Sequence, residues 1–240
     1  MIDYEKEFER PRYQIGGGVD KKIALARTFK LVYGWMTVGL TLSGVIAWYV
    51  ARSGFLERLI RGPGFMGFVI AEILLVLVLG MAIDKLPSFV ALLMFLGYAA
   101  LNGVTLSVVF LAYELALVEK VFFITAGMFA GLALWGTFTK DDLSSVGSFC
   151  GMALWGLIIA GAANFFFKSS GLDFVCSIVG ILVFTGLTMY DAQKIKRLAA
   201  AEGTMDSATI RKVGIIGALQ LYLDFVNLFL HILRILGRRR

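Results

Sequence analysis

The sequence predicts an all-α membrane protein, folded as a single bundle of seven transmembrane helices. Of its 240 residues, 59% are hydrophobic and only 17% are charged, whereas soluble domains carry about 25% charged residues. The hydrophobic residues occur in runs of about twenty, the length of helix that crosses a hydrocarbon core of about 30 Å. The net charge of +6 does not indicate nucleic-acid binding, because the basic residues lie between and beyond these runs.

The chain divides into a polar tail and one transmembrane domain. Residues 1–25 are charged and include a run of three glycines, so we expect a mobile or surface-lying tail. Residues 26–240 form the domain, and its connections are short apart from 52–64 and 193–212, which leaves no room for a second domain. The seven predicted spans cover residues 28–51, 65–83, 87–112, 119–138, 146–167, 171–192 and 213–236.

The distribution of basic residues predicts the orientation of these spans. If all seven cross the membrane, 14 of the 23 lysines and arginines lie on the side of the N-terminus. Cytoplasmic loops are enriched in these residues, so the N-terminus is expected in the cytoplasm. Arg238, Arg239 and Arg240 would then lie on the opposite side. Six crossings would avoid that placement, but seven is the preferred interpretation.

The last span carries a stripe of polar residues. They recur at intervals of three and four, at Gln220, Asp224, Asn227, His231 and Arg234. This spacing puts them on one face of a helix. A charge in hydrocarbon costs roughly 2.5–3.5 kcal/mol or more, so this face must turn towards protein or water. We therefore expect the other spans to supply partners for it.

Two aspartates of the last two spans form the candidate site. Asp191 lies three residues before Lys194, and Asp224 lies well inside the last span. If they face each other in a low-dielectric site, they cannot both ionise at low cost, so they would share a proton. The deprotonated pair would offer the oxygen ligands that Ca²⁺ prefers. Alternatively, Asp191 reaches towards water with Lys194, and polar residues of its own helix satisfy Asp224.

The remaining ionisable residues of the spans are weaker candidates. Glu72 lies about seven residues into the second span, too deep for a boundary residue. His231 is more commonly a hydrogen-bonded residue of the bundle than a ligand, and Arg234 could equally anchor the helix at the membrane interface. The chain lacks the HExxH, P-loop and GxSxG motifs. We therefore expect no enzyme and no resident cofactor.

Aspartyl proteolysis within the membrane is the one enzymatic activity that these residues could support, because it also needs two aspartates on neighbouring spans. The dipeptide at Tyr190 and Asp191 resembles the first motif of presenilin-type proteases. Their second motif is Gly-x-Gly-Asp, whereas Asp224 follows the sequence Leu-Tyr-Leu. The missing glycines make this interpretation unfavourable.

Residues 187–195 (LTMYDAQKI) and 218–237 (ALQLYLDFVNLFLHILRILG) resemble the Bax-inhibitor family of multi-spanning membrane proteins. Residues 101–107 and 137–144 match more weakly. The resemblance implies a seven-helix bundle whose last helix is central and is wrapped by the other six. It also implies that Asp191 and Asp224 are a pH-sensing pair that gates a slow Ca²⁺ leak. Glu72 would then lie along the ion path, and Arg234 would match the family's basic residue near the end of the last helix.

The chain departs from the family at the second helix. Some relatives carry an arginine there that latches one aspartate in the closed state, whereas residues 74–83 contain no basic residue. Lys85 or Arg234 could replace this latch. Asn227 and His231 complete the set of candidates along the ion path.

The leading functional prediction is a pH-sensitive Ca²⁺ leak channel, with Ca²⁺ and protons as its ions and the lipid bilayer as its surroundings. The alternative is a membrane-embedded regulator that binds other membrane proteins, such as a quality-control protease or a cell-death factor. That function would depend on the tail at residues 1–25. A compact chain without organelle signals suggests a bacterial inner membrane.

Overall fold

The computed structural model describes residues 17–62, 64–82, 86–201 and 207–237, and these residues form helices without any strand. The helices are α1 Gly17–Arg52, α2 Phe55–Arg61, α3 Gly64–Ala82, α4 Ser88–Ala112, α5 Leu115–Phe138, α6 Ser144–Phe167, α7 Ser170–Ala201 and α8 Ser207–Leu236. All except α2 are long and apolar enough to cross a membrane. This confirms the predicted all-α fold with seven transmembrane helices.

Two segments differ from the sequence prediction. Helix α1 begins at Gly17, so residues 17–25, for which a tail was predicted, are helical. Residues 1–16 lie outside the described part of the chain. The short helix α2 fills the connection between the first two spans, and it forms because Leu56 and Leu59 are buried there.

Helix α8 lies at the centre of the bundle. Of its most apolar stretch, 72% is buried, against 6–39% in the other six spans. Helices α1, α4, α5 and α7 pack directly on it, whereas α3 packs chiefly on α4, and α6 on α7. The prediction of a central last helix is confirmed. Its direct neighbours are four helices rather than six, and α3 and α6 form an outer layer.

Two glycines allow helices around α8 to approach closely. A Cβ atom added to Gly103 of α4 would lie 2.8 Å from the carbonyl oxygen of Ser43 on α1. A Cβ atom added to Gly136 of α5 would overlap the backbone of Met189 on α7. These contacts bring backbone against backbone, which only a residue without a side chain permits.

Candidate functional site

The packing of α7 against α8 places the two candidate aspartates in one interface. The helices are antiparallel, and the side chain of Ile195 lies against Gly217. Asp191 precedes Ile195 by four residues, so on the antiparallel α8 it is level with Leu221, four residues after Gly217. Asp224 lies three residues beyond Leu221, about 5 Å farther along the axis of α8. At this separation the charge of Asp191 acts on Asp224.

Asp224 is the more deeply buried of the two carboxyl groups. Its side chain is 4% exposed, and its Oδ2 atom has no hydrogen-bond partner among the residues that the structure describes. Asp191 is partly buried, and the positive charge of Lys194 acts on it. A buried carboxylate with an unpaired oxygen is costly when charged. Asp224 therefore requires a proton or a cation to neutralise it.

The segment of α7 that follows Asp191 is anchored to the connection between α5 and α6. The side-chain amide of Gln193 donates a hydrogen bond to the carbonyl oxygen of Asp141 at 2.7 Å. Its amide oxygen accepts a bond from the backbone N–H of Leu143 at 3.0 Å. Gln193 is itself only 4% exposed. These two bonds fix the height and rotation of α7 two residues beyond Asp191.

An exposed ion pair extends this anchor to the surface. Arg197 contacts Asp142 at 2.6 Å. Hydrogen bonds from Ser144 and then from Arg197 hold the pKa of Asp142 well below its usual range. The pair is exposed, so its contribution to stability is small.

Glu72 lies in a separate group of hydrogen-bonded residues, which we call the Tyr222 network. Its carboxylate accepts hydrogen bonds from the side chains of Asn102, which is buried, and Thr105, the latter at 2.8 Å. The hydroxyl of Tyr222 donates to the amide oxygen of Asn102 at 2.9 Å and lies 2.7 Å from the hydroxyl of Ser43. The Tyr222 network thus links α1, α3, α4 and α8.

The Tyr222 network and the aspartate pair occupy opposite sides of α8. Tyr222 precedes Asp224 by two residues, about 200° around a helix. Tyr222 faces α1 and α4, whereas Asp224 faces α7. The structure therefore does not bring Glu72 to the aspartate pair.

Of the other residues predicted from the sequence, three lie towards the end of α8 and one lies outside the described part of the chain. Asn227 donates a hydrogen bond to a carbonyl of its own helix at 2.8 Å. His231 is buried and stacks on Phe184, with ring centroids 5.8 Å apart. Arg234 is exposed beside a cavity between α6, α7 and α8. Lys85 lies outside the described residues.

The donor set limits how the aspartate pair could hold a metal ion. Within the described ranges, no group of three or more His, Cys, Asp or Glu side chains could hold one. Ca²⁺ takes six to eight oxygen ligands, and two carboxylates supply at most four. The remaining ligands would have to be backbone oxygens or water.

Sequence reasoning did not anticipate the Tyr222 network. The polar stripe of α8 does not include Tyr222, and the predicted ion path includes Glu72 without Asn102 or Thr105. The sequence does contain a signal, because Asn102 and Thr105 are three residues apart and so share one face of a largely apolar span. Their partners on α3 and α8 are distant in sequence, however, and only the packing identifies them.

Comparison with known proteins is consistent with this architecture. Residues 25–240 match the sequence model of a family described as inhibitor of apoptosis-promoting Bax1. Inner membrane protein YbhL of Escherichia coli strain K12 is 45% identical over 224 residues, which are 92% of this chain and 96% of that protein. Uncharacterised proteins of Borreliella burgdorferi and Deinococcus radiodurans are 41% and 37% identical. These matches cover 87% and 92% of this chain, and 90% and 95% of the two relatives.

Proposed function

The chain belongs to the Bax inhibitor-1-like family, and from that premise we propose that it is a pH-sensitive Ca²⁺ leak channel gated by Asp191 and Asp224. The observation that best supports the proposal is the buried carboxyl of Asp224, whose Oδ2 atom has no donor among the described residues. The charge of Asp191 acts on it across the α7–α8 interface. Only a proton or a cation can neutralise such a group.

In this mechanism, protons and Ca²⁺ compete for the same oxygen atoms. The deprotonated pair offers up to four oxygens to a cation that passes between α7 and α8. A shared proton removes one negative charge and weakens both cation binding and any contact that depends on that charge. The positive charge of Lys194 acts on Asp191. Lys194 lies one turn from Asp191 on the same helix, so it stabilises the charge of Asp191 and does not link α7 to another helix.

The proposed orientation places the N-terminus in the cytoplasm of a bacterium. The side of the N-terminus carries 14 of the 23 lysines and arginines, as cytoplasmic loops do. The name of the Escherichia coli relative supports an inner-membrane location. Lys194 and the anchor at Gln193 would then lie near the cytoplasmic surface, where a change in cytoplasmic pH reaches Asp191.

Reconstitution tests the proposal directly. The purified protein is placed in liposomes with a trapped Ca²⁺ dye, and Ca²⁺ entry is followed between pH 5 and 8. We expect a protein-dependent flux that varies with pH, and a flat pH profile in Asp191→Asn, in Asp224→Asn and in the double variant. No flux above that of empty liposomes at any pH would contradict channel function. An unchanged pH profile in the variants would contradict the role of the pair.

A second function is a membrane-embedded regulator that binds other membrane proteins. The outer layer supports it, because only 6% of the apolar stretch of α3 and 11% of that of α6 are buried within the chain. These faces could pack against helices of another protein. The test is recovery of cross-linked partners with and without residues 1–16. Recovery that does not depend on the tail would count against the predicted role of that segment.

A further inference from the structure

A cavity of about 790 Å³ opens between the ends of α6, α7 and α8. It reaches His231, which lies seven residues, or about 10 Å of helix, beyond Asp224. Neither Asp191 nor Asp224 lines it. The cavity is therefore distinct from the proposed gate, and the following inference does not depend on channel activity.

The polar side of the cavity is rich in hydrogen-bond donors. Two exposed cations line it, Lys168 from the connection between α6 and α7 and Arg234 from the last turn of α8. His231 also lines it and is 7% exposed, and its Nδ1 atom has no hydrogen-bond partner within the described part of the chain. A buried imidazole nitrogen without a partner is uncommon, and the ring that carries it forms part of the cavity wall.

The charges around the cavity favour an anionic group. Besides the two cations, the carboxylate of Asp173 lines the cavity. The charges of Arg234 and Asp173 both act on the ring of His231. Among the described side chains that line the cavity, two cations and one carboxylate leave a net charge of +1 when His231 is neutral. A singly charged anion balances it, and an arginine fork binds phosphate oxygens in a bidentate manner.

The opposite side of the cavity is apolar and continuous with the lipid-facing surface. Leu157, Phe165 and Phe174 line it. Phe165 and Phe174 are 68% and 53% exposed on α6 and α7, both of which are long and apolar enough to span a membrane. A small soluble anion would leave these rings uncovered, whereas acyl chains would cover them. The ligand that matches both sides is amphipathic.

We propose that this cavity binds a membrane phospholipid, with its phosphodiester between Lys168 and Arg234 and its acyl chains along Phe165 and Phe174. The imidazole of His231 contributes a hydrogen bond to the headgroup from the cavity floor. A lipid held in this way contacts α6, α7 and α8 at once. It therefore ties the outer helix α6 to the central helix α8 at a point where the described residues leave an open space.

Native mass spectrometry with added phosphatidylglycerol or phosphatidylethanolamine tests the proposal. We expect the full chain to retain one lipid under activation that strips loosely associated lipids. Lys168→Gln and Arg234→Gln should each lower retention about tenfold, as expected for loss of one charge-assisted hydrogen bond. Both residues are exposed, so these variants should fold. Arg61→Gln is the matched control, since Arg61 is exposed in α2 at the same end of the bundle and does not line the cavity.

Two further measurements distinguish the source of the phosphate group. Inorganic phosphate at the same concentration should neither bind detectably nor displace the lipid, because it cannot cover the apolar wall. His231→Phe, which keeps an aromatic ring against Phe184, should also reduce retention. Equal retention by the wild type, Lys168→Gln and Arg234→Gln would overturn the proposal. Displacement of lipid by inorganic phosphate would instead indicate a site for a soluble anion and would overturn the assignment to lipid.

Discussion

Helix α8 carries two buried polar side chains, two residues apart, whose surroundings differ. On the side facing α1 and α4, the hydroxyl of Tyr222 donates to Asn102 at 2.9 Å and lies 2.7 Å from the hydroxyl of Ser43. On the side facing α7, Asp224 is buried to a similar degree. Its Oδ2 atom nevertheless has no partner among the described residues.

This difference distinguishes a polar group with hydrogen-bond partners from a carboxyl group with an unpaired oxygen on the same helix. A buried polar network whose members are paired holds helices in one arrangement, and removing a member leaves its partners unpaired. A buried carboxyl with an unpaired oxygen can instead take up a proton or an ion, and buried titratable groups of this kind cluster at functional sites. Substitutions on the Tyr222 side should therefore change stability, and substitutions at Asp224 should change the response to pH.

The largest effect is expected from Tyr222→Ala. Tyr222 is fully buried and packs edge-to-face on Phe95 and Tyr98, with centroids 5.6 and 5.9 Å apart. Loss of the ring and the hydroxyl should cost about 3–5 kcal/mol of unfolding free energy. Unfolding in detergent measures it, with Tyr49→Ala as control because Tyr49 is 66% exposed. Equal stability of the two variants would contradict a structural role for the Tyr222 network.

A somewhat smaller effect is expected from Gly103→Ala, on the same side of α8. The added Cβ would lie 2.8 Å from the carbonyl oxygen of Ser43, so α1 and α4 must separate at the network. We expect a loss of about 1–3 kcal/mol, typical of overpacking. Gly127→Ala is the control, since nothing lies within 4 Å of a Cβ there. If both variants unfold at the same temperature as the wild type, the close contact of α1 and α4 is not rigid.

On the other side of α8, Asp224→Asn should change stability by less than about 1 kcal/mol. A neutral amide in this site avoids the cost of a buried charge, although it still lacks one partner. Thermal unfolding at neutral pH measures the effect, with Asn102→Ala as the comparison from the Tyr222 network. Asn102→Ala should be the more destabilised, because Tyr222 and Glu72 then each lose a partner. If Asp224→Asn were the more destabilised variant, the proposed difference between the α7 side and the Tyr222 side of α8 would be contradicted.

The smallest effect is expected at the surface, from the ion pair of Asp142 and Arg197. Hydrogen bonds from Ser144 and Arg197 lower the pKa of Asp142 in the folded state. Its stabilising contribution is therefore present above the unfolded pKa of about 4 and is lost as pH falls through the folded value. The wild type should lose slightly more stability than Asp142→Asn on acidification from about pH 5 to below 3. Parallel curves of unfolding midpoint against pH would show that the pair contributes nothing.

Much of the fold could be predicted from sequence because a bilayer imposes simple requirements on it. Span length predicted the seven helices, and the spacing from Gln220 to Arg234 predicted that the last helix needs partners on one face. The layering of the helices could not be predicted. Helix α3 has the highest mean hydropathy of the seven spans, yet it is the least buried. Hydropathy does not distinguish the two surroundings, because lipid and protein interior select the same side chains.

The candidate site was predictable only in part, for a related reason. Asp191 and Asp224 lie on consecutive antiparallel helices, so their proximity follows from local topology. The contact of Glu72 with Asn102, and of Asn102 with Tyr222, joins helices that are distant along the chain. Spacing within one span cannot reveal such pairs. The cavity beside His231 depends in the same way on where three helices end.

The most direct test of the account compares Asp224→Asn with Tyr222→Phe in liposomes loaded with a Ca²⁺ dye, between pH 5 and 8. Both variants alter one polar group of α8, two residues apart, and keep its size. We predict that Asp224→Asn abolishes the pH dependence of Ca²⁺ entry, whereas Tyr222→Phe retains it in a less stable protein. A pH profile that is lost in Tyr222→Phe and preserved in Asp224→Asn would contradict the account.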